Sequence, residues 1–193
     1  MERHQTILDY WFGNGSDVAR RHRELWFAGS PQVDAGVRAL FLGDVERAER
    51  GELDAWKADA GSCLALVIVL DQFPLMIFRN EARGYRDGDL ALPVARHLHA
   101  SGFDRSLAPH EKLFAWLPFE HSEDLADQDL SVALFATLRD APGMASAYDY
   151  ALKHRDVVQR FGRFPHRNRA LGRQSTAEEI AFLKQPGAGF GAT

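Results

Sequence analysis

Apolar residues recur at helical spacing along most of the chain. Ser30 and Pro31 read as an N-cap and first-turn pair. After them Val33, Val37, Leu40, Phe41 and Val45 share a face, so a helix is expected to run to about Arg50 and stop at Gly51. "TILDYWF" is a short amphipathic opening, and "ELDAW" a short segment after Gly51. "SCLALVIVLDQFPLMIFR", Ser62 to Arg79, is apolar almost throughout. Its β-branched residues would suit a buried strand, but no other segment offers a convincing partner for the backbone hydrogen bonds. A buried helix is expected, bent or interrupted before Pro74.

"DLALPVARHLHASG" suggests a helix, irregular at Pro93 and ending near Gly102. A short helix from Pro109 is expected to be interrupted by Pro118. A longer one runs from about Ser122 to Arg139, with Leu130, Leu134 and Leu138 in one line. Met144 to Phe161 is again helical. Ser175 with Glu178, or Thr176 with Glu179, stands at capping-box spacing before "IAFL". Gly- and Ala-rich "GAGFGAT" is expected to fray. No linker or compositional shift divides the chain. The expectation is an all-α single domain over residues 1–186, with seven to nine helices packed as antiparallel pairs, and a flexible tail over 187–193.

Charge changes this picture in one place. The 27 acids against 23 Lys and Arg give a net charge of −4, which disfavours a general coat for nucleic acid. Yet "RFGRFPHRNRALGR", Arg160 to Arg173, carries five arginines and no acid. Cys63, the only cysteine, lies in "CLALVIVL" and reads as a buried small hydrophobe. The longest apolar run, Cys63 to Leu70, is far shorter than the roughly 20 residues of a membrane span, and "MERHQTILDYWFG" lacks the apolar stretch of a signal peptide. A cytoplasmic protein without a membrane partner is expected.

Three polar islands hold the candidate chemistry. Asp71 and Gln72 end the apolar run, where a carboxylate is costly unless paired. Asp71 could brace the bent helix, or meet a distant Arg, His or ligand. "FEHSEDLADQD" has acids that suit a helix N-terminus, while His121 just before them is free to reach across. His121 and Glu123 would be the donors if a metal were held, but the spacing matches no zinc motif, so no metal is expected. In the basic stretch Phe161 and Phe164 would anchor the loop and fix the directions of some arginines. Acids such as Asp71, Glu123 or Asp124 could answer them, or an anion could sit in their forks.

Three stretches, "LALVIVLDQFPLMIFR", "LPFEHSEDLADQ" and "VVQRFGRFPHRNRALGRQSTAEEIAFL", resemble the bacterial family called domain of unknown function 924. "ILDYWFG" and "GELDAW" extend the likeness over nearly the whole chain. The resemblance implies an all-helical architecture related to tetratricopeptide repeats, and implies no activity. It carries over polar positions at Asp71, Gln72, Arg79, His121, Ser122, Glu123, Arg163, His166, Arg167, Asn168 and Arg173. The chain departs from the family pattern at Leu75 and Met76, where Arg-Asn usually follows "DQFP".

The resulting expectation is a cleft for a small anionic metabolite or a peptide, contacted by Arg79, Arg163, His166, Arg167, Asn168 and Arg173, with no cofactor. An alternative is a hydrolase or transferase acting on a phosphate- or carboxylate-bearing substrate. Asp71, His121, Glu123 and His166 are then the candidates for proton transfer, and the arginines stabilise developing negative charge. No nucleophile elbow, phosphate loop or dinucleotide fingerprint is present. RNA binding through the basic loop is disfavoured, because the four tryptophans are scattered away from it. The islands could also form a structural network without a ligand.

Overall fold

A computed structural model describes residues 2–13, 22–26, 29–86 and 88–190. Among these residues every regular element is helical and no strand occurs. The α-helices are α1 (Arg3–Phe12), α2 (Pro31–Glu49), α3 (Ala60–Ile77), α4 (Ala82–Arg86), α5 (Gly88–Ala100), α6 (Pro109–His121), α7 (Leu125–Ala136), α8 (Ala145–Phe161) and α9 (Ala177–Leu183). Short tight turns of helix at Asp54–Ala58, Phe103–Ser106 and Pro165–Arg167 join some of them.

The central element is α3. From Ser62 to Ile77 every residue but Leu75 is buried, because α1, α2, α4, α5 and α6 pack around it. A helix apolar on all sides has to be enclosed in this way. Asp59 caps it, accepting from the backbone N–H groups of Gly61 and Ser62 at 3.1 Å each. By length and composition α3 could cross a membrane, but 83% of it is buried inside the protein. The apolar run read from the sequence is therefore one part of a longer core helix.

Long-range ion pairs fix the directions of the helices. Asp34 near the start of α2 receives two bonds from Arg79, just past the end of α3, at 2.6 and 2.8 Å. That makes α2 and α3 antiparallel. Gln128 in the first turn of α7 donates to the carbonyl of Glu120 at the end of α6, 2.7 Å away, and so ties down the short link between them.

Aromatic rings close the core between α1, α2, α3 and α6. Phe73 stacks on Phe41 at 4.7 Å and meets the edge of Trp11 at 5.7 Å, while Trp11 contacts Phe114 at 5.2 Å. Edge-on and offset contacts of this kind add to the area buried. Cys63 has no exposed surface, and burial pushes its thiol up to about 11.

The expected interruption at Pro118 is corrected, and of the bend or interruption expected at Pro74 no interruption occurs; the helix expected to be irregular at Pro93 is continuous there. Helices α3, α5 and α6 run through Pro74, Pro93 and Pro118 without ending. Each proline removes one N–H donor, but apolar burial on both sides keeps α3 and α6 helical through theirs. Between α6 and α7, in turn, the chain leaves the helix at Ser122, and Asp124 caps α7 by accepting from the N–H of Ala126 at 2.7 Å. Thr176 and Glu179 form the capping box of α9, the second of the two registers. The segment expected to fray packs inward as far as Phe190, whose ring stacks on His154 at 3.8 Å. Residues 191–193 lie outside the described residues.

Phe73→Ala is expected to cost about 3–5 kcal/mol, the usual penalty for emptying a fully buried aromatic site. Urea unfolding should show this as a lower midpoint with an unchanged slope. Leu183→Ala, at a position 36% exposed, should stay within about 0.5 kcal/mol of the wild type.

Candidate functional site

The only polar residues in the last three turns of α3 are Asp71 and Gln72, and they border two adjoining hollows between α3, α4, α6 and the basic loop, Asp71 the smaller and Gln72 the larger. Asp71 is 2% exposed. Its Oδ1 lies 2.8 Å from His121 Nδ1, and its Oδ2 accepts from Gln72 Nε2 at 2.6 Å. A carboxylate can only accept, so Nδ1 carries a hydrogen, and in that tautomer Nε2 is the acceptor nitrogen of the ring. Nε2 makes no hydrogen bond to the described residues, and the ring borders the hollow.

Behind this pair lies a second one. Glu120 is buried at the edge of the larger hollow, and burial with the nearby Asp71 charge pushes its carboxyl up to about 8. Its Oε1 is 3.1 Å from His154 Nδ1, which donates to the Tyr150 carbonyl at 2.9 Å. Burial holds His154 well below its ordinary range. At neutral pH the acid is un-ionised and the ring uncharged, which removes most of the cost of burying them side by side.

Most of the basic loop is answered by acids. Arg163 grips Glu179 with bonds of 2.7 and 2.9 Å and donates to the Gln174 carbonyl. The Arg163 bonds outweigh burial and hold the Glu179 carboxyl at about 2. Arg173 grips Glu123 at 2.6 and 2.9 Å and reaches Asn168 Oδ1 and the Phe164 carbonyl. Burial alone would raise Glu123. The Arg173 bonds and the Phe164 N–H outweigh it, so the carboxyl lies below its ordinary range. Asn168 is buried and donates to Ser175 and Glu179. Arg160 pairs with Glu178 at 2.7 Å.

Arg167 is different. Its guanidinium carbon sits 4.4 Å from the Phe164 ring centre and 5.4 Å from that of Tyr85. Its Nε is buried without a partner, as is Nδ1 of neighbouring His166. No carboxylate lies within ion-pairing distance of Arg167 among the described residues. Burial lowers its pKa, and burial followed by the Arg167 charge brings His166 down to about 3. Tyr85 reaches this place because Gly84 lets α4 close on α3: a Cβ there would stand 2.8 Å from the Phe78 carbonyl oxygen and 3.1 Å from that of Pro74.

Two adjoining hollows meet at this arginine. The smaller, about 350 Å³, is bordered by Asp71, His121, Glu123, Arg167 and Arg173. The larger, about 700 Å³, is bordered by Gln72, Arg79, Glu120, His154, His166 and Phe190 among others. Leu75, Gly84, Tyr85, His121 and Arg167 border both. The three polar islands of the sequence therefore meet, through Arg167 and Arg173. Arg163 and Asn168 border neither hollow and serve the loop itself. Arg79 borders the larger one with its fork already on Asp34. Leu75 and Met76 stand in the wall.

Sequence reasoning passed over Glu120, His154, Tyr85 and Phe190. A signal existed for His154, which falls at helical spacing with Ala151 and Val158 on a buried face. Glu120 ends the apolar run Leu113–Phe119, which could have marked it as buried. No pattern marks Tyr85. Among the described residues no three of His, Cys, Asp and Glu gather as metal ligands. His121 and Glu123, named as possible donors, face Asp71 and Arg173 respectively.

The fold and hollow define an all-helical single-domain protein with a buried acid–histidine–arginine cluster. The chain belongs to a family of bacterial proteins of unknown function, DUF924, whose profile matches residues 7–187. It is similar to a solved protein of unknown function from Agrobacterium tumefaciens, at 35% identity and a TM-score of 0.81, covering 94% of this chain and 96% of that one. No curated protein matches the chain.

Glu120 and His166 predict opposite pH limbs. Glu120 keeps its proton up to about 8 in the fold, against 4.5 ordinarily, so the unfolded chain releases it first and stability falls as pH rises through that window. Glu120→Gln should therefore gain melting temperature relative to wild type between about pH 5 and about pH 8.5. A pH-independent difference would contradict the assignment. His166, at about 3 against 6.5, makes the fold lose stability as pH falls below 6.5, and His166→Gln should flatten that limb in the same melts.

Proposed function

We propose that this chain binds a small anionic metabolite in the paired hollows, within the cytoplasm and without a cofactor. The observation that carries the reading is Arg167, a half-buried guanidinium whose Nε is buried without a partner and which has no carboxylate within ion-pairing distance among the described residues, while its neighbours Arg163 and Arg173 each hold one. A partly buried charge of this kind is costly unless something pairs with it, and an anion would supply the missing partner through the arginine fork. Volumes of about 350 and 700 Å³ suit a small molecule, which favours a metabolite over a peptide. Arg173 and His166 would stand at the edge of such a ligand, with Arg79 on the far wall.

A second reading, catalysis on a phosphate- or carboxylate-bearing substrate, is favoured by one specific feature. Asp71 orients His121 so that Nε2 is presented to the hollow as an acceptor, the arrangement of a general base. Arg167 would then stabilise negative charge on the same substrate.

Thermal melts against inorganic phosphate and simple carboxylates test the binding reading. A saturating ligand at about 100 times its Kd stabilises by about 2.7 kcal/mol, which is roughly 5–10 °C for a domain of this size. The shift should vanish in Arg167→Gln and persist in Arg163→Gln, although the latter lowers the melting temperature itself. A shift that survives Arg167→Gln, or no shift with any anion, would overturn the reading.

A further inference from the structure

The two hollows differ in size and in the amount of apolar wall they offer, and that difference specifies the ligand. Ionisable groups edge both, but the larger one adds a broad apolar surface from Trp26, Met76, Leu113, Leu117, Met144 and Phe190. Two methionines in one wall supply an adaptable apolar lining. Arg167 borders both spaces, so an anionic head on its fork has apolar room directly beside it. We infer that the site is built for an amphipathic monocarboxylate, with the carboxylate on Arg167 and an alkyl or aryl body in the larger hollow. The inference rests on the anion-binding reading and narrows it.

Charge at the head favours one negative charge over two. Glu123 is already neutralised by Arg173, and Asp71 also borders the small hollow. Arg167 is the cation there with no carboxylate in ion-pairing distance among the described residues, while the Asp71 charge already acts on it from across the hollow. A phosphate monoester dianion would therefore bring an excess negative charge towards Asp71. A planar carboxylate matches the two terminal nitrogens of the guanidinium end-on. The aromatic faces of Tyr85 and Phe164 shield that bond from water. A small hydrophilic anion would leave about 700 Å³ of mostly apolar wall in contact with water. An apolar body gains by covering it, at about 0.8 kcal/mol for each buried methylene.

Calorimetric titration of the full chain with acetate, butyrate, hexanoate, octanoate, octan-1-ol and octyl phosphate tests this. Affinity should tighten about fourfold per added methylene until the hollow is filled. Octanoate should bind at least tenfold more tightly than either octan-1-ol or octyl phosphate, and Arg167→Gln should erase its advantage over the alcohol. Carboxylates that bind through Arg167 with no dependence on chain length would overturn the amphipathic ligand and leave the anion site standing. Octan-1-ol binding as well as octanoate, or octyl phosphate binding more tightly, would overturn the head-group assignment. No binding of any of these anions or of inorganic phosphate would overturn both readings. The chain-length series uses the wild-type protein, so it stands even if Arg167→Gln folds poorly.

Discussion

Drawing a guanidinium partly out of water between two aromatic rings, with no acid in ion-pairing distance, demands support from everything around it. Arg167 is held there by the loop from Gly162 to Arg173, and that loop stays in place because its other cations are satisfied. Arg163 is locked to Glu179, Arg173 to Glu123, and Asn168 ties the two pairs together. Each of these pairs offsets its own desolvation through two-pronged bonds. The positive charge that stands out in the sequence is thus mostly spent on holding the loop against α9 and the link before α7; of the two arginines left over, Arg169 is exposed and Arg167 lies half-buried at the hollows.

The apolar core sets where that position faces. Helix α3 is enclosed by its neighbours for almost its whole length, so Asp71 cannot move to water, and the stacked rings of Phe41, Phe73 and Trp11 fix the helix's rotation. With α3 fixed, Asp71 holds the ring of His121 at the end of α6, and α6 carries Glu120 under the same roof. Gly84 then allows α4 to lay Tyr85 over the arginine. Packing, more than any local motif, places the acids, the histidines and the cation around one space.

Much of the fold was legible because it is local. The Ser30–Pro31 start of α2, the stop near Gly51, the capping-box signal before α9 and the enclosed helix through "CLALVIVL" all rest on spacing within a few residues. The prolines misled, since a break costs one hydrogen bond locally while the reward for continuing α3 and α6 is burial against distant helices. Candidate residues were legible as types and less so as partners. Glu123 and Arg173 are 50 positions apart, as are Asp71 and His121, and no periodicity encodes such meetings. The acid that answers Arg163 is Glu179, whose capping role in the sequence concealed its ionic one. Glu120 and His154 were missed because each lies on a helix face whose burial depends on which neighbour covers it.

The central claim is that Arg167, at the hollows, is left for an anion while Arg163 and Arg173 beside it are occupied. Diffraction from crystals grown with bromide reads this directly, because the anomalous signal locates each bound ion without assuming a ligand. A peak beside the terminal nitrogens of Arg167, with none between Arg163 and Glu179 or between Arg173 and Glu123, is the predicted result. An empty Arg167 beside occupied surface arginines, or a protein carboxylate found on its fork, would contradict the account.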